Sequence, residues 1–251
     1  MSAEFDGLRA IVTGGASGIG AAVVQELMDR GAQVASLDLD AAGSPCGSIG
    51  VVCDIGEDAS TARAVREAAQ SLGGIDIVIN NAGIGAQGSV ADNPSSEWLH
   101  VLDVNVVGIA RVMLHALPFL IESDHAAVVN TSSIAATAGL PQRALYSASK
   151  GAVLALTRAM AADHLADGIR VNAVAPGTAD TPWVGRLLDS ADDPIAERAQ
   201  LEARQPHGRL IAPQEIAYAV ASLASPRAGS TTGTTLAVDG GMLELRLRPR
   251  D

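Results

Sequence analysis

The sequence predicts an α/β fold, a doubly wound parallel sheet of seven strands with helices on both faces. Three observations predict it. Seven short runs are almost unbroken Val, Ile, Leu and Ala, the composition of strands buried on both faces. Longer amphipathic segments alternate with them, which argues for a parallel sheet covered on both sides. A glycine-rich turn joins the first run to the first helical segment, where such folds hold phosphates. A chain of 251 residues, 48% of them apolar, suffices for one domain with a substantial core.

The elements follow in order. "LRAIVT" (8–13) is the first strand, and helical periodicity runs over 18–31. "QVASLD" (33–38) and "SIGVVCD" (48–54) are the next two strands, followed by a helix over 57–73. "IDIVIN" (75–80), a helix over 95–121, "HAAVVNTS" (125–132), a helix over 145–167 and "IRVNAVA" (169–175) continue the alternation. A helix over 213–225 and "TTLAVD" (234–239) complete it. Residues 181–211 break the rhythm, because their helical pattern leads to no strand before 234. An insertion at this place often forms a lid over the ligand crevice, and a plain surface hairpin is the alternative.

Composition narrows the function. A net charge of −11 opposes general nucleic-acid binding, which needs a basic face. The two cysteines, Cys46 and Cys53, read as ordinary thiols of a reducing compartment. No basic segment leads into an apolar run at the N-terminus, and no uncharged apolar stretch has membrane-spanning length. A cytoplasmic protein without membrane or nucleic-acid partners is expected. The five histidines show no metal-ligand spacing, so no metal is expected.

"IVTGGASGIG" (11–20) is the first chemical motif. Gly14, Gly18 and Gly20 let the backbone approach a pyrophosphate, and the helix start at Ser17, Gly18, Ile19 and Gly20 offers N–H groups and a positive dipole end. The motif sits between a strand and a helix, the context a Rossmann-type dinucleotide site requires. Asp38 ends the second strand, placed to bond the ribose hydroxyls of an adenosine. Its carboxylate would repel a 2′-phosphate, and no Arg or Lys lies in 11–20 or beside it, so NAD is expected over NADP.

"YSASK" (146–150) is the second motif. Lys150 is the only lysine, and Tyr146 is one of two tyrosines. Residues i and i+4 share a helix face. A phenol ionises near pH 10, and bringing it to about 7 takes roughly 4 kcal/mol. An ammonium 4–6 Å away supplies about 3–4 kcal/mol at an effective dielectric of 20. Tyr146 is therefore a candidate general acid/base tuned by Lys150, a compact cation that Arg would replace poorly.

With these residues together, the chain resembles the short-chain dehydrogenase/reductase superfamily over nearly its whole length. "TGGASGIG" (13–20), "NNAG" (80–83), "DVNVVG" (103–108), "NTSS" (130–133), "PGTADTP" (176–182) and "VDGG" (238–241) match its motifs. The resemblance implies strand order 3-2-1-4-5-6-7, reversible oxidation of an alcohol, and a homotetramer. It implies a catalytic set of Asn105, Ser133, Tyr146 and Lys150. It adds cofactor contacts at Asp54, Ile55, Asn81, Ala82, Gly83, Tyr146, Lys150, Pro176, Gly177, Thr178 and Thr181.

The substrate is a small molecule. Arg143, three residues before Tyr146, and Arg186 and Arg204, in the insertion, are candidates to bind a carboxylate beside Ser133 and Tyr146. The pattern is similar to the branch that holds cytosolic 3-hydroxybutyrate dehydrogenase and sugar or sugar-acid dehydrogenases. Pairing of Arg186 and Arg204 with Asp189, Glu197 or Glu202 is the alternative. An NADPH-dependent 3-oxoacyl carrier-protein reductase and a non-catalytic nucleotide sensor are the other functions considered. The tail "LELRLRPRD" (243–251) either seals a subunit interface or is disordered.

Overall fold

In the computed structural model, seven strands form one parallel sheet in the order β3-β2-β1-β4-β5-β6-β7, as expected. Residues 3–189 and 191–248 are described. The strands are β1 (Arg9–Thr13), β2 (Gln33–Asp38), β3 (Ile49–Val52), β4 (Ile77–Asn80), β5 (Ala127–Thr131), β6 (Arg170–Pro176) and β7 (Thr235–Val238). The direction of winding reverses between β1 and β4, registered Ala10 to Ile77 and Ile11 to Val78. Doubly wound sheets bind ligands at this switch point.

One face carries α2 (Asp58–Leu72), α3 (Ser95–Leu102), α4 (Gly108–Ile121) and α5 (Ala144–Asp163), with Ile11, Val78, Val128 and Val171 beneath them. The other face carries α1 (Gly18–Asp29) and α8 (Pro213–Ala224), with Val12, Ile79, Val129 and Val174 beneath them. Alternate residues of each strand thus feed opposite cores, which explains the unbroken apolar runs.

The segment read as one helix over 95–121 is α3 and α4 joined by a π-helical turn, Asp103–Val107. By length and composition Ser95–Ile121 could cross a membrane. Here its Val101, Ile109, Val112, Ala116 and Leu120 are buried within the fold.

The insertion folds as α6 (Pro182–Asp189) and α7 (Pro194–Ala203), which share a small core of Val184, Leu188, Leu201 and Leu210. Residue 190 within it and the last three residues of the tail, 249–251, lie outside the described residues.

Candidate active site

The glycine turn is built for close approach. Gly14 (φ +64°) and Gly18 (φ +53°) adopt left-handed backbone, which glycine takes without strain. A Cβ on Gly20 would lie 1.9 Å from the Gly14 carbonyl oxygen. The N-terminus of α1 carries no side-chain cap at Ser17 and no acidic residue in its first turn. Its amide groups and positive dipole end thus face the crevice unsatisfied, which suits a pyrophosphate.

Thr13 and Asn81 knit β1 to β4 beneath this turn. Thr13 Oγ1 accepts bonds from the Asn81 and Ala82 amides at 3.0 and 3.1 Å, and Asn81 Nδ2 donates to the Thr13 and Gly14 carbonyls. Asp38 Oδ2 accepts from the Ala16 amide at 3.0 Å, while its Oδ1 makes no hydrogen bond among the described residues. Asp38 therefore fixes the glycine turn with one oxygen.

A cavity of about 360 Å³ continues from this crevice. Ser17, Ile19, Asn81, Gly83, Ser133, Tyr146, Lys150, Pro176, Gly177, Thr178 and Thr181 line it, as do all three candidate arginines, Arg143, Arg186 and Arg204. Gly14, Gly18, Gly20, Asp38, Asp54, Ile55, Ala82 and Asn105 stay outside the lining. The first group brackets the reacting end, and Asp38 and Asp54 stand at the ends of neighbouring strands β2 and β3.

Ser133 follows β5, and Tyr146 and Lys150 share one face of α5. The Ser133 hydroxyl is in hydrogen-bonding reach of the phenol. Lys150 Nζ lies 5.9 Å from the centroid of the Tyr146 ring and donates to the Thr131 carbonyl at 2.9 Å. Ser132 Oγ donates to the Lys150 carbonyl at 2.9 Å, which ties α5 to the end of β5.

The electrostatics add to the expectation that Lys150 does most of the tuning of the phenol. Burial pushes the Tyr146 phenol up, against the Ser133 hydrogen bond and the Arg143 charge, which both pull it down. Burial also pushes the Lys150 ammonium down to about 8. Arg143, at the N-cap of α5, is a second cation close enough to favour the phenolate. Sequence spacing shows which groups meet, whereas desolvation depends on what the rest of the fold places around them.

Lys150 carries a stability consequence. Its proton is held up to about pH 10.5 unfolded and about pH 8 folded. Between those values the unfolded chain binds more protons, so stability from this group rises with pH. Denaturant titrations should show wild type gaining about 2–3 kcal/mol on Lys150→Met between pH 8 and 10.5. A constant gap across that range would contradict a desolvated ammonium.

Asn105 sits in the π turn behind the cavity. Its Oδ1 accepts from the Ile84 amide at 2.8 Å, and its Nδ2 donates to the Ile84 carbonyl and to Ser149 Oγ at 2.9 and 3.0 Å. A Cβ on Gly83 would lie 3.0 Å from Asn105 Oδ1 and 3.3 Å from Lys150 Nζ. Glycine at 83 thus lets the β4 loop lie against both groups. Asn105 bonds the loop and α5, and among the described residues it makes no direct bond to Lys150.

The substrate side is amphipathic. Ile84, Ala86, Leu140, Trp183, Val184, Leu187 and Leu201 supply apolar walls. Trp183 approaches Gly85 so closely that a Cβ there would lie 3.0 Å from its ring. Arg143 donates only to the Ala86 carbonyl, at 3.2 Å, and burial and the like charge of Arg204 push its pKa down. Arg186 and Arg204 make no salt bridge among the described residues. Of the partners the alternative reading gave them, Asp189, Glu197 and Glu202, the last pairs with Arg198 instead.

Sequence reasoning missed the apolar walls, which come from three separated segments. It also missed Gln142, whose left-handed backbone (φ +57°) precedes Arg143 and turns the chain into α5. A residue that is not glycine rarely holds this conformation, and strain of this kind concentrates at functional sites.

Together these features define an oxidoreductase of the dinucleotide-binding α/β class. Comparison with known proteins agrees. The family model described as Enoyl-(Acyl carrier protein) reductase matches residues 14–243. The chain belongs to the short-chain dehydrogenase/reductase superfamily, whose dehydrogenases act on CH–OH groups with a nicotinamide cofactor. It is 39% identical to 2-(S)-hydroxypropyl-CoM dehydrogenase 3 of Xanthobacter autotrophicus, over 92% of this chain and 94% of that one. It is also 39% identical to cis-4-hydroxycyclohexanecarboxylate dehydrogenase of Sinomonas cyclohexanicum, over 96% and 98%. Its fold is similar to that of Thermoplasma acidophilum aldohexose dehydrogenase, with a TM-score of 0.91, 31% identity and full coverage of both chains.

Proposed function

We propose that this chain is an NAD-dependent dehydrogenase of a small secondary alcohol bearing an acid group, such as a hydroxy acid or sugar acid. The observation that carries the reading is the convergence of Arg143, Arg186 and Arg204 on a cavity already lined by Ser133, Tyr146 and Lys150. Among the described residues none of the three is in a salt bridge, although the Glu197 charge acts on Arg143, and a guanidinium without a bonded carboxylate favours a carboxylate or other anion from a ligand. The apolar walls opposite suit a carbon skeleton between that anion and the reacting hydroxyl. Two relatives, named for dehydrogenation of a hydroxypropyl-CoM and of a hydroxycyclohexanecarboxylate, support an acid-bearing alcohol.

A bound nicotinamide cofactor would supply the hydride acceptor for oxidation and the hydride donor for reduction. Gly14, Ser17, Gly18, Ile19 and Gly20 would hold the pyrophosphate, and Asp38 Oδ1 the adenosine ribose. Asp54 and Ile55 would flank the adenine, and Asn81 to Gly83 and Pro176 to Thr181 the nicotinamide end. Ser133 Oγ holds the substrate oxygen by hydrogen bond, and Tyr146 Oη takes the hydroxyl proton in oxidation and returns it in reduction. Lys150 Nζ faces the same space with donors left after its bond to Thr131, and would bind ribose hydroxyls. Arg143 anchors the acid group and favours the phenolate of Tyr146, so one residue couples substrate binding to proton transfer.

Cofactor choice follows from Asp38. Fluorescence titration should show NADH binding at least about tenfold tighter than NADPH, because a second carboxylate-to-phosphate contact would cost on the order of 1.4 kcal/mol or more. Tighter NADPH would contradict the reading and favour the carrier-protein reductase instead. The substrate class is tested by turnover of hydroxy acids, sugar acids and neutral sugars with NAD. Acids should lead, and preference for neutral sugars would overturn the assignment. We also propose a homotetramer in the cytoplasm, on the family resemblance and the two free cysteines, Cys46 and Cys53.

A further inference from the structure

Behind the cavity, one guanidinium joins two parts of the site. Arg111, on α4, donates four hydrogen bonds. Nη2 and Nη1 reach the two oxygens of Asp103 at 2.7 and 3.2 Å, Nη1 also reaches the Ile55 carbonyl at 3.2 Å, and Nε reaches Asp58 at 2.5 Å. Asp103 opens the π turn, and its carbonyl accepts from the Gly108 amide five residues on, which closes that turn. The fork therefore grips the residue that defines the bulge. The bulge in turn places Asn105 in the interior against Ile84 and Ser149.

The other arm of the same fork holds the 54–58 loop. Gly108 completes the junction, since a Cβ there would lie 2.8 Å from Ile55 Cδ1. Asp58 is 84% exposed, so that pair is screened and contributes little. The bidentate contact to Asp103 and the bond to the Ile55 carbonyl carry the link. A π turn is rare and is the kind of strained element that needs support from its surroundings. Relaxation to regular α-helix would rotate Asn105 by about 100° about the axis, out of its bonds to Ile84 and Ser149.

We infer that Arg111 is a positioning residue that locks the 54–58 loop and the Asn105 turn into one unit, coupling the adenine side of the cofactor site to the reacting side. The inference rests on the proposed roles of Ile55 and Asn105. It is tested on the full chain with Arg111→Met, Arg111→Lys and Asp103→Asn, using ADP-ribose as the probe in titration calorimetry and turnover of the best acid with NAD. Arg111→Met should weaken ADP-ribose about tenfold and lower kcat about tenfold. Asp103→Asn leaves the Ile55 and Asp58 bonds, so ADP-ribose affinity should stay within about twofold while kcat falls. Arg111→Lys should restore neither, because an ammonium cannot reproduce the fork.

A purely structural role predicts a lower melting temperature with ADP-ribose affinity and kcat of the folded variants within about twofold of wild type, and that result would overturn the inference. Restoration by lysine would overturn it too. Where Arg111→Met does not fold, Asp103→Asn decides through its split between affinity and kcat. If Asn105→Ala leaves kcat intact, the site reading fails on its own account, and the ADP-ribose arm alone decides for or against Arg111.

Discussion

Tyr146→Phe is expected to lower kcat by at least about 10²-fold in both directions of the reaction, with cofactor affinity little changed. The ring remains and fills the same space, but the hydroxyl assigned to exchange a proton with the substrate oxygen is lost, and a positioned general acid/base contributes about 10²–10⁴-fold. The pH profile should change as well. In oxidation the phenolate is the active form, so the rate should rise with pH in wild type. Burial pushes the phenol up while Ser133 and Arg143 pull it down, so removing Arg143 should move that rise to higher pH. A Tyr146→Phe enzyme within tenfold of wild type would remove proton transfer from this residue.

The second large effect concerns the acid anchor. Arg143→Met with Arg204→Met should raise KM for the best acid roughly 100-fold. A hydrogen bond to a charged group is worth about 1.5–3 kcal/mol, and each tenfold in affinity corresponds to about 1.4 kcal/mol. Turnover at saturation should fall less than affinity, since Tyr146 and Ser133 remain. The partial fall expected in kcat comes from the lost pull of Arg143 on the phenol.

Much of the fold was legible because its signals are local. Each buried strand announces itself as an apolar run, and the strand–turn–helix context of residues 11–20 places the glycine turn at the switch point. The i, i+4 spacing of Tyr146 and Lys150 fixes a shared helix face by geometry alone. The π turn at Asp103–Val107 was not legible, because a one-residue bulge leaves composition and periodicity almost unchanged across a 27-residue helical segment.

The electrostatics of the phenol were half legible. That a cation stands near Tyr146 follows from the sequence. That Arg143 acts on it while Lys150 is itself desolvated depends on the walls contributed by β5, the β4 loop and the insertion. That Arg186 and Arg204 make no salt bridge among the described residues was equally hidden. Glu202 and Glu197 lie as near in sequence as any ligand, and only the fold shows Glu202 taken by Arg198.

The coupling of an acid anchor to a hydride site is tested most directly by matched pairs. Each secondary-alcohol acid that NAD oxidises, 4-hydroxycyclohexanecarboxylate among them, is compared with its methyl ester in wild type and in the Arg143→Met, Arg204→Met enzyme. The esters keep the carbon skeleton and the reacting hydroxyl and lose only the charge. Wild type should favour the acid in kcat/KM by at least about tenfold, and the double variant should lose that preference. Equal kcat/KM for acid and ester in wild type, or a preference that survives loss of both arginines, would contradict the account.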